Sequence, residues 1–172
     1  MSQVIRLARL EDCPAVEAIV QAAYAPYVPR IGREPGPMLD DYAARIRARQ
    51  VHVLEREGAI QGILVLIPQE RSMLLDNIAV SPGAQGEGHG RTLLRFAEQA
   101  AIDAGYESIR LYTNEAMVEN IALYSRIGFV ETHRIEEKGL RRIYMLKPLQ
   151  PSRSIADTSA NVTRRRDESP DA

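Results

Sequence analysis

Three glycines at alternate positions, Gly86, Gly88 and Gly90, stand where a strand-like run ends and a helix-like run begins. Residues without a Cβ let successive backbone amides turn toward one point, and a helix N-terminus adds about half a unit of positive charge. Together they make an anion cradle suited to a pyrophosphate. A P-loop would need Lys and then Ser or Thr after its last glycine, whereas Arg91 and Thr92 follow Gly90. The spacing also departs from G-x-G-x-x-G, and the preceding elements read as hairpins where a dinucleotide fold needs a parallel crossover. Standing alone, such a turn would also serve as an ordinary strand-to-helix connection.

Its context narrows the choice. Gln85, two residues, Gly88, one residue and Gly90, directly after Ile78, Ala79, Val80 and Pro82, resembles the acetyl-CoA motif of the GCN5-related N-acetyltransferase (GNAT) family. Asn120, Ile121, Ala122, Leu123, Tyr124, three residues, Gly128 and Phe129 resembles that family's second signature. The order of elements over residues 4–146 is similar as well. The resemblance implies an α/β, GNAT-like fold: a central mixed, mostly antiparallel sheet of about six or seven strands flanked by about four helices. It implies acetyl-CoA as cosubstrate, with Ile78, Ala79 and Val80 lending backbone groups to the pantetheine arm and the acetyl carbonyl. The turn of Gln85, Gly86, Glu87, Gly88, His89, Gly90 and Arg91 would hold the pyrophosphate.

By the same resemblance Tyr124 matches the tyrosine that gives a hydrogen bond or proton to the departing CoA sulfur; its other reading is a helix-face aromatic in the core. Members with an asparagine in this helix carry it two turns before the tyrosine, where Met117 stands here. Asn120, one turn before Tyr124 on the same helical face, is the candidate substitute. The implied activity is transfer of an acetyl group to a primary amine of a small molecule, amino acid, peptide or protein, by direct attack in a ternary complex. The alternative is a non-catalytic acyl-CoA-binding regulator, with Met117 as its one hint.

Proton energetics constrain both partners. A phenol of pKa about 10 giving its proton fully to a thiolate of pKa about 8.5 is uphill by ~2 kcal/mol, so a hydrogen bond, or transfer from a phenol of lowered pKa, fits better. Deprotonating a lysine-like amine at pH 7 costs ~4.6 kcal/mol, an α-amine only ~1. Asp76 is the candidate base or amine anchor, because alternation sets it on the same strand face as Ile78; a strand-end carboxylate bonded to nearby backbone is its other reading. Glu115, at an expected helix start, is the second candidate base. Tyr27, Arg30 and Met38 lie in a segment whose position resembles the family's substrate-facing region, where Arg30 beside aromatics would suit an amine that also carries a carboxylate.

The elements that must position these groups follow from periodicity and turn chemistry. We expect a strand over 4–8 and a helix entered at Asp12 and Pro14 that buries Val16, Ile19, Val20 and Ala23. A turn-rich ordered segment over 24–40 precedes a short helix over 40–50 and a hairpin of 51–56 with 60–67. A strand over 73–80, a helix over 89–104 stopped by Gly105, a strand over 108–113 and a helix over 115–127 stopped by Gly128 come next. A strand pair, 129–137 with 140–146, closes the unit. This makes residues 1–148 one domain. Residues 149–172, where Arg164, Arg165 and Arg166 are answered by Asp167 and Glu168, read as a disordered, solvated tail.

Composition excludes several classes. The 172 residues, 45% hydrophobic and 26% charged, suffice for one core. Net charge −1 gives no broad field for nucleic acid, and His52, His89 and His133 show no metal-ligand spacing. The single Cys13 permits no internal disulfide and, just before Pro14, reads as structural more readily than as a nucleophile. No apolar run reaches the ~20 residues of a membrane span, and the N-terminus lacks signal-peptide character, so the expectation is a cytoplasmic protein without metal, nucleic-acid or membrane partners. Homodimerisation, common in similar proteins, remains possible.

Overall fold

A computed structural model describes residues 2–150. The expected tail over 149–172 lies outside them, apart from Leu149, which is buried and donates its N–H to Glu107 O (2.8 Å), and Gln150. The chain runs β1 (Gln3–Leu7), α1 (Cys13–Tyr24), α2 (Tyr42–Arg47), β2 (Val51–Arg56), β3 (Ala59–Pro68), β4 (Met73–Val80), α3 (His89–Asp103), β5 (Ser108–Asn114), α4 (Val118–Ile127), β6 (Val130–Glu137) and β7 (Leu140–Pro148). Between α1 and α2 the turn-rich segment is ordered into short pieces, Ala25–Tyr27, a single α-turn Val28–Ile31, and Gly36–Leu39. All seven strands form one sheet in the order β1-β2-β3-β4-β5-β7-β6. Every neighbouring pair is antiparallel except β4 and β5.

Period-two alternation divides the apolar side chains between two layers. On one face Leu54, Leu64, Leu66, Met73 and Leu75 meet Leu93, Leu94 and Ala97 of α3 and Tyr124 of α4. On the other, Val51, Val53, Ile63 and Val65 meet Val16, Ile19 and Val20 of α1 and Tyr42 and Ile46 of α2.

Two helices are shorter than their sequence suggests. Helix α4 begins at Val118 rather than at 115, because Glu115 N–H pairs with Arg141 O across the sheet (2.9 Å) and the Asn114 side chain accepts from Ala116 N–H (2.9 Å). Helix α2 begins at Tyr42, where Asp41 caps Ala44 N–H (3.0 Å), and stops before Arg49, whose φ of 58° ends the turn.

Position 52 is polar among apolar strand residues. The His52 ring packs on Phe96 of α3 (centroids 4.9 Å apart), with Nδ1 buried and unpartnered among the described residues. Burial lowers its pKa, so below the unfolded value of about 6.5 the unfolded chain binds the proton more readily, and stability falls as pH drops through that window. We predict that His52→Phe flattens the loss of urea midpoint between pH 7 and pH 5.5; an unchanged slope would assign that loss to other groups.

Candidate active site

The site begins where β4 and β5 part. They pair in parallel over three positions, Met73 with Ile109, Leu74 with Arg110 and Leu75 with Leu111, while both strands run on. Beyond the last pair, backbone groups on the facing edges have no strand to bond. Two cavities open there. One, about 880 Å³, runs from the glycine turn along Ile78–Val80 to α4; the other, about 310 Å³, lies between Asp76 and Tyr112 beneath Pro35–Pro37. Tyr24, Ile78, Asn120 and Tyr124 line both, so the cavities meet at these four residues.

The larger cleft has the features of a nucleotide cradle. Gly86 (φ 85°) and Gly88 (φ 86°) hold left-handed backbone, and a Cβ on either would point into open space, so the turn is left clear for a ligand to approach. Gly88 caps the 15-residue α3 without a side-chain bond, and the first helical bond is Thr92 N–H to Gly88 O (3.2 Å). The N–H groups of His89, Gly90 and Arg91 therefore belong to the unpaired first turn, at the positive end of the helix dipole. Gln85, Gly86, Gly88, His89, Gly90 and Arg91 all line this cleft with Ile78, Ala79 and Val80. Glu87 instead turns aside, toward Arg56 (3.2 Å) and His89 Nε2 (3.0 Å). Arg126, Leu123, Ala22 and Ala23 also line it; Leu123 belongs to the second signature and Ala23 was expected in the core, while nothing in the sequence singled out Ala22 or Arg126. The residues present thus fit an elongated anionic cosubstrate.

Tyr124 is buried against Phe129 (centroids 5.9 Å), yet its hydroxyl has no hydrogen-bond partner among the described residues and fronts both cavities. Burial pushes the phenol well above its ordinary value. Asn120 is beside it, whereas Met117 is buried in the α1 layer with Thr113 Oγ1 on its sulfur (3.7 Å).

Asp76 reaches the site by a route the alternation argument missed. Asn77 pairs with Val65 and Leu75 with the adjacent Leu66, so Asp76 is an extra residue in β4, a β-bulge. The bulge reverses the side-chain parity. Met73 and Leu75 face α3 before it, and Ile78 and Val80 after it. Asp76 and Asn77 both take the opposite face, so Asp76 does not share a face with Ile78. Its carboxylate accepts from Tyr112 OH (3.4 Å), and burial, with Asp40 nearby, raises its pKa against the opposing pull of Arg45.

Asn77 is buried at the centre of a directed relay. Tyr24 OH donates to Asn77 Oδ1 (2.6 Å), Asn77 Nδ2 donates to Tyr42 OH (2.8 Å), and Tyr42 OH donates to Pro37 O (2.5 Å). Four chain segments are thereby tied to the bulge and to the roof of the smaller cavity. Sequence gave no sign of this, because each residue sits on a different element.

The other expected site residues are dispersed. Tyr27 and Arg30 line the larger cleft and not the Asp76 cavity; Arg30 lies over the Tyr27 ring (5.2 Å) and donates through Nη1 alone to both carboxylate oxygens of Glu119 (2.8 and 2.9 Å). Glu115 lies outside both cavities, paired with Arg134 (3.0 Å). Met38 contributes its carbonyl to Gln21 (2.9 Å). Cys13 lines neither cavity, and burial and Glu17 raise its thiol pKa.

A seven-stranded mixed sheet that splays beside a glycine turn defines a class. Residues 47–131 match the family described as Acetyltransferase (GNAT) domain. The fold is similar to the Escherichia coli ribosomal-protein-S18-alanine N-acetyltransferase (TM-score 0.70, 22% identity, 88% of this chain and 96% of that one). It is similar also to YncA of Salmonella typhimurium, whose structure holds its cofactor acetyl-CoA (TM-score 0.67, 21% identity, 90% and 98%). A mycothiol acetyltransferase of Jonesia denitrificans is 36% identical over 67 residues, which is 39% of this chain and 21% of that protein. The chain thus spans about a fifth of that relative's length. The chain is thus similar to GNAT acetyltransferases in sequence over residues 47–131 and in fold over most of its length.

The relay yields a test. Tyr42→Phe leaves the buried Asn77 amide without its acceptor and Pro37 O without its donor, a cost of roughly 1–3 kcal/mol. Urea unfolding will report a loss in that range. A loss under about 0.5 kcal/mol, as for an ordinary surface substitution, would mean that the relay holds nothing in place.

Proposed function

We propose that this domain transfers the acetyl group of acetyl-CoA to a primary amine by direct attack in a ternary complex. The observation that carries this reading is the meeting of two cavities, one with an anion cradle at its far end and one with a carboxylate in its wall, at Ile78, Asn120 and Tyr124. Bound acetyl-CoA would supply an activated thioester. The turn from Gln85 to Arg91 would hold the pyrophosphate through backbone N–H groups, and the edge of Ile78–Val80 would orient the pantetheine arm and the acetyl carbonyl.

Asp76 anchors the incoming ammonium and accepts its proton. A carboxyl with a raised pKa is a better match for that proton than an ordinary surface carboxylate. The neutral amine nitrogen bonds to the acetyl carbon, the carbon–sulfur bond breaks, and the second proton that the nitrogen sheds in becoming an amide passes through solvent to the departing CoA thiolate. Tyr124 donates a hydrogen bond to the sulfur and keeps its proton, since a phenol raised by burial is still further uphill of a thiol than the ~2 kcal/mol of an unperturbed one.

Acceptor identity is a matter of the smaller cavity, developed below. A cytoplasmic setting accords with the helices, none of which, among the described residues, is long and apolar enough to cross a membrane. A homodimer and the absence of nucleic-acid partners stand as expectations of composition and family.

Steady-state release of CoA thiol over a panel of primary amines tests the reading. Tyr124→Phe should lower kcat by about 10- to 100-fold with acetyl-CoA affinity nearly kept, and Asp76→Asn should lower kcat/KM for the amine by at least 100-fold. Wild-type protein that binds acetyl-CoA but acetylates no amine would favour the non-catalytic acyl-CoA-binding regulator instead.

A further inference from the structure

We infer that the acceptor is a small amine that also carries a carboxylate, an amino acid in the broad sense, and that Arg142 is the residue that selects it. The inference rests on the acetyl-transfer reading above. Its basis is the ring of Tyr112, which ties a cation anchor and an anion anchor into one cavity. Through its hydroxyl, Tyr112 meets the Asp76 carboxylate (3.4 Å); over its face lies the Arg142 guanidinium, 5.0 Å from the ring centroid. Tyr144 packs on the same ring from β7 (5.6 Å) and helps fix its position. An ammonium held at Asp76 therefore has a guanidinium fixed across one aromatic ring from it. Asn114 pairs with Arg142 in the β5–β7 ladder, so the arginine is set by strand register rather than by a loop.

Arg142 is also the cation that is free to act. It lines the Asp76 cavity and an adjoining one of about 230 Å³, which shares Gly36, Leu39 and Leu140 with it. Its partner, Glu137, takes only Nη1 (2.9 Å), and both side chains are partly exposed, at 28% and 49%. A solvent-screened pair of this kind is weak, and the remaining guanidinium donors can fork onto a second carboxylate. Arg45, the other cation lining the Asp76 cavity, is committed. Arg45 gives Nε to Asp40 (3.0 Å) and Nη1 to Gln50 (3.1 Å), and its charge opposes that of Asp76 itself. Arg33 donates to Lys138 O and does not line the Asp76 cavity, and Arg30 lies in the other cleft with its Nη1 on both oxygens of Glu119. The arginine beside aromatics that suits a zwitterion is therefore on β7, not in the segment after α1.

The test compares α-, β- and γ-amino acids with their primary amides, by CoA release and by calorimetric titration in the presence of CoA. Wild type should prefer the acid to the matching amide by about tenfold or more for at least one spacer length, the range of a charge-assisted bidentate contact. In Arg142→Gln that ratio should collapse toward one, and Arg142→Lys, which keeps the charge and loses the fork, should retain part of it. A wild type that binds acetyl-CoA yet treats acids and amides alike, or an Arg142→Gln variant that keeps the preference, would overturn the inference. Failure to bind acetyl-CoA at all would instead overturn the reading on which it rests.

Discussion

Strands β4 and β5 exchange hydrogen bonds over three registered pairs and then separate while both continue, and the rest of the site depends on that parting. A sheet interior is ordinarily closed to ligands because each backbone group is already bonded to its neighbour. Separation frees the edges of Ile78–Val80 and of residues 112–114 in the middle of an otherwise continuous seven-stranded sheet. A thioester laid along one freed edge and an amine entering from the opposite side could then meet inside the fold, shielded from water, with no lid required.

The β-bulge at Asp76 makes the opening chemically asymmetric. By reversing parity, one extra residue turns Asp76 and Asn77 toward α1 and α2, while Ile78 and Val80 remain packed beside α3. A carboxylate is thereby delivered to the acceptor side, and an amide is delivered to the relay that holds the roof of that side. On the other side, the glycine turn and the N-terminus of α3 concentrate unpaired N–H groups and positive potential. Charge, not shape alone, separates the two halves of the site: unpaired backbone donors at one end, a largely buried carboxylate at the other.

Much of the architecture was legible because it is written in local rules. Glycines 86, 88, 105 and 128 marked the turns, alternation marked the strands of the two hairpins, and the spacing from Asn120 to Phe129 located the helix that brings Tyr124 to the cavities. The acceptor side was less legible, for a physical reason. Alternation assigned Asp76 to the wrong face because a bulge is a property of pairing between strands, and no single strand encodes it. Tyr24, Asn77 and Tyr42 lie on three elements, and Tyr112 and Arg142 on two strands that only the 5-7-6 strand order makes neighbours. Arg30 could be singled out because its aromatic neighbour Tyr27 is local in sequence, whereas Arg142 meets Tyr112 only across the β5–β7 ladder. Glu115 looked like a helix-start carboxylate until sheet pairing claimed its backbone.

The central claim is that the glycine turn and the splayed β4 edge hold acetyl-CoA. Calorimetric titration of the protein with acetyl-CoA, run beside Gly88→Glu, tests it most directly, because that side chain would enter the open space at Gly88 and set a carboxylate against the pyrophosphate. Saturable one-to-one binding is expected of the wild type, weakened at least 100-fold in a variant that still unfolds cooperatively. Equal affinity in the two proteins, or no binding by a folded wild type, would contradict it.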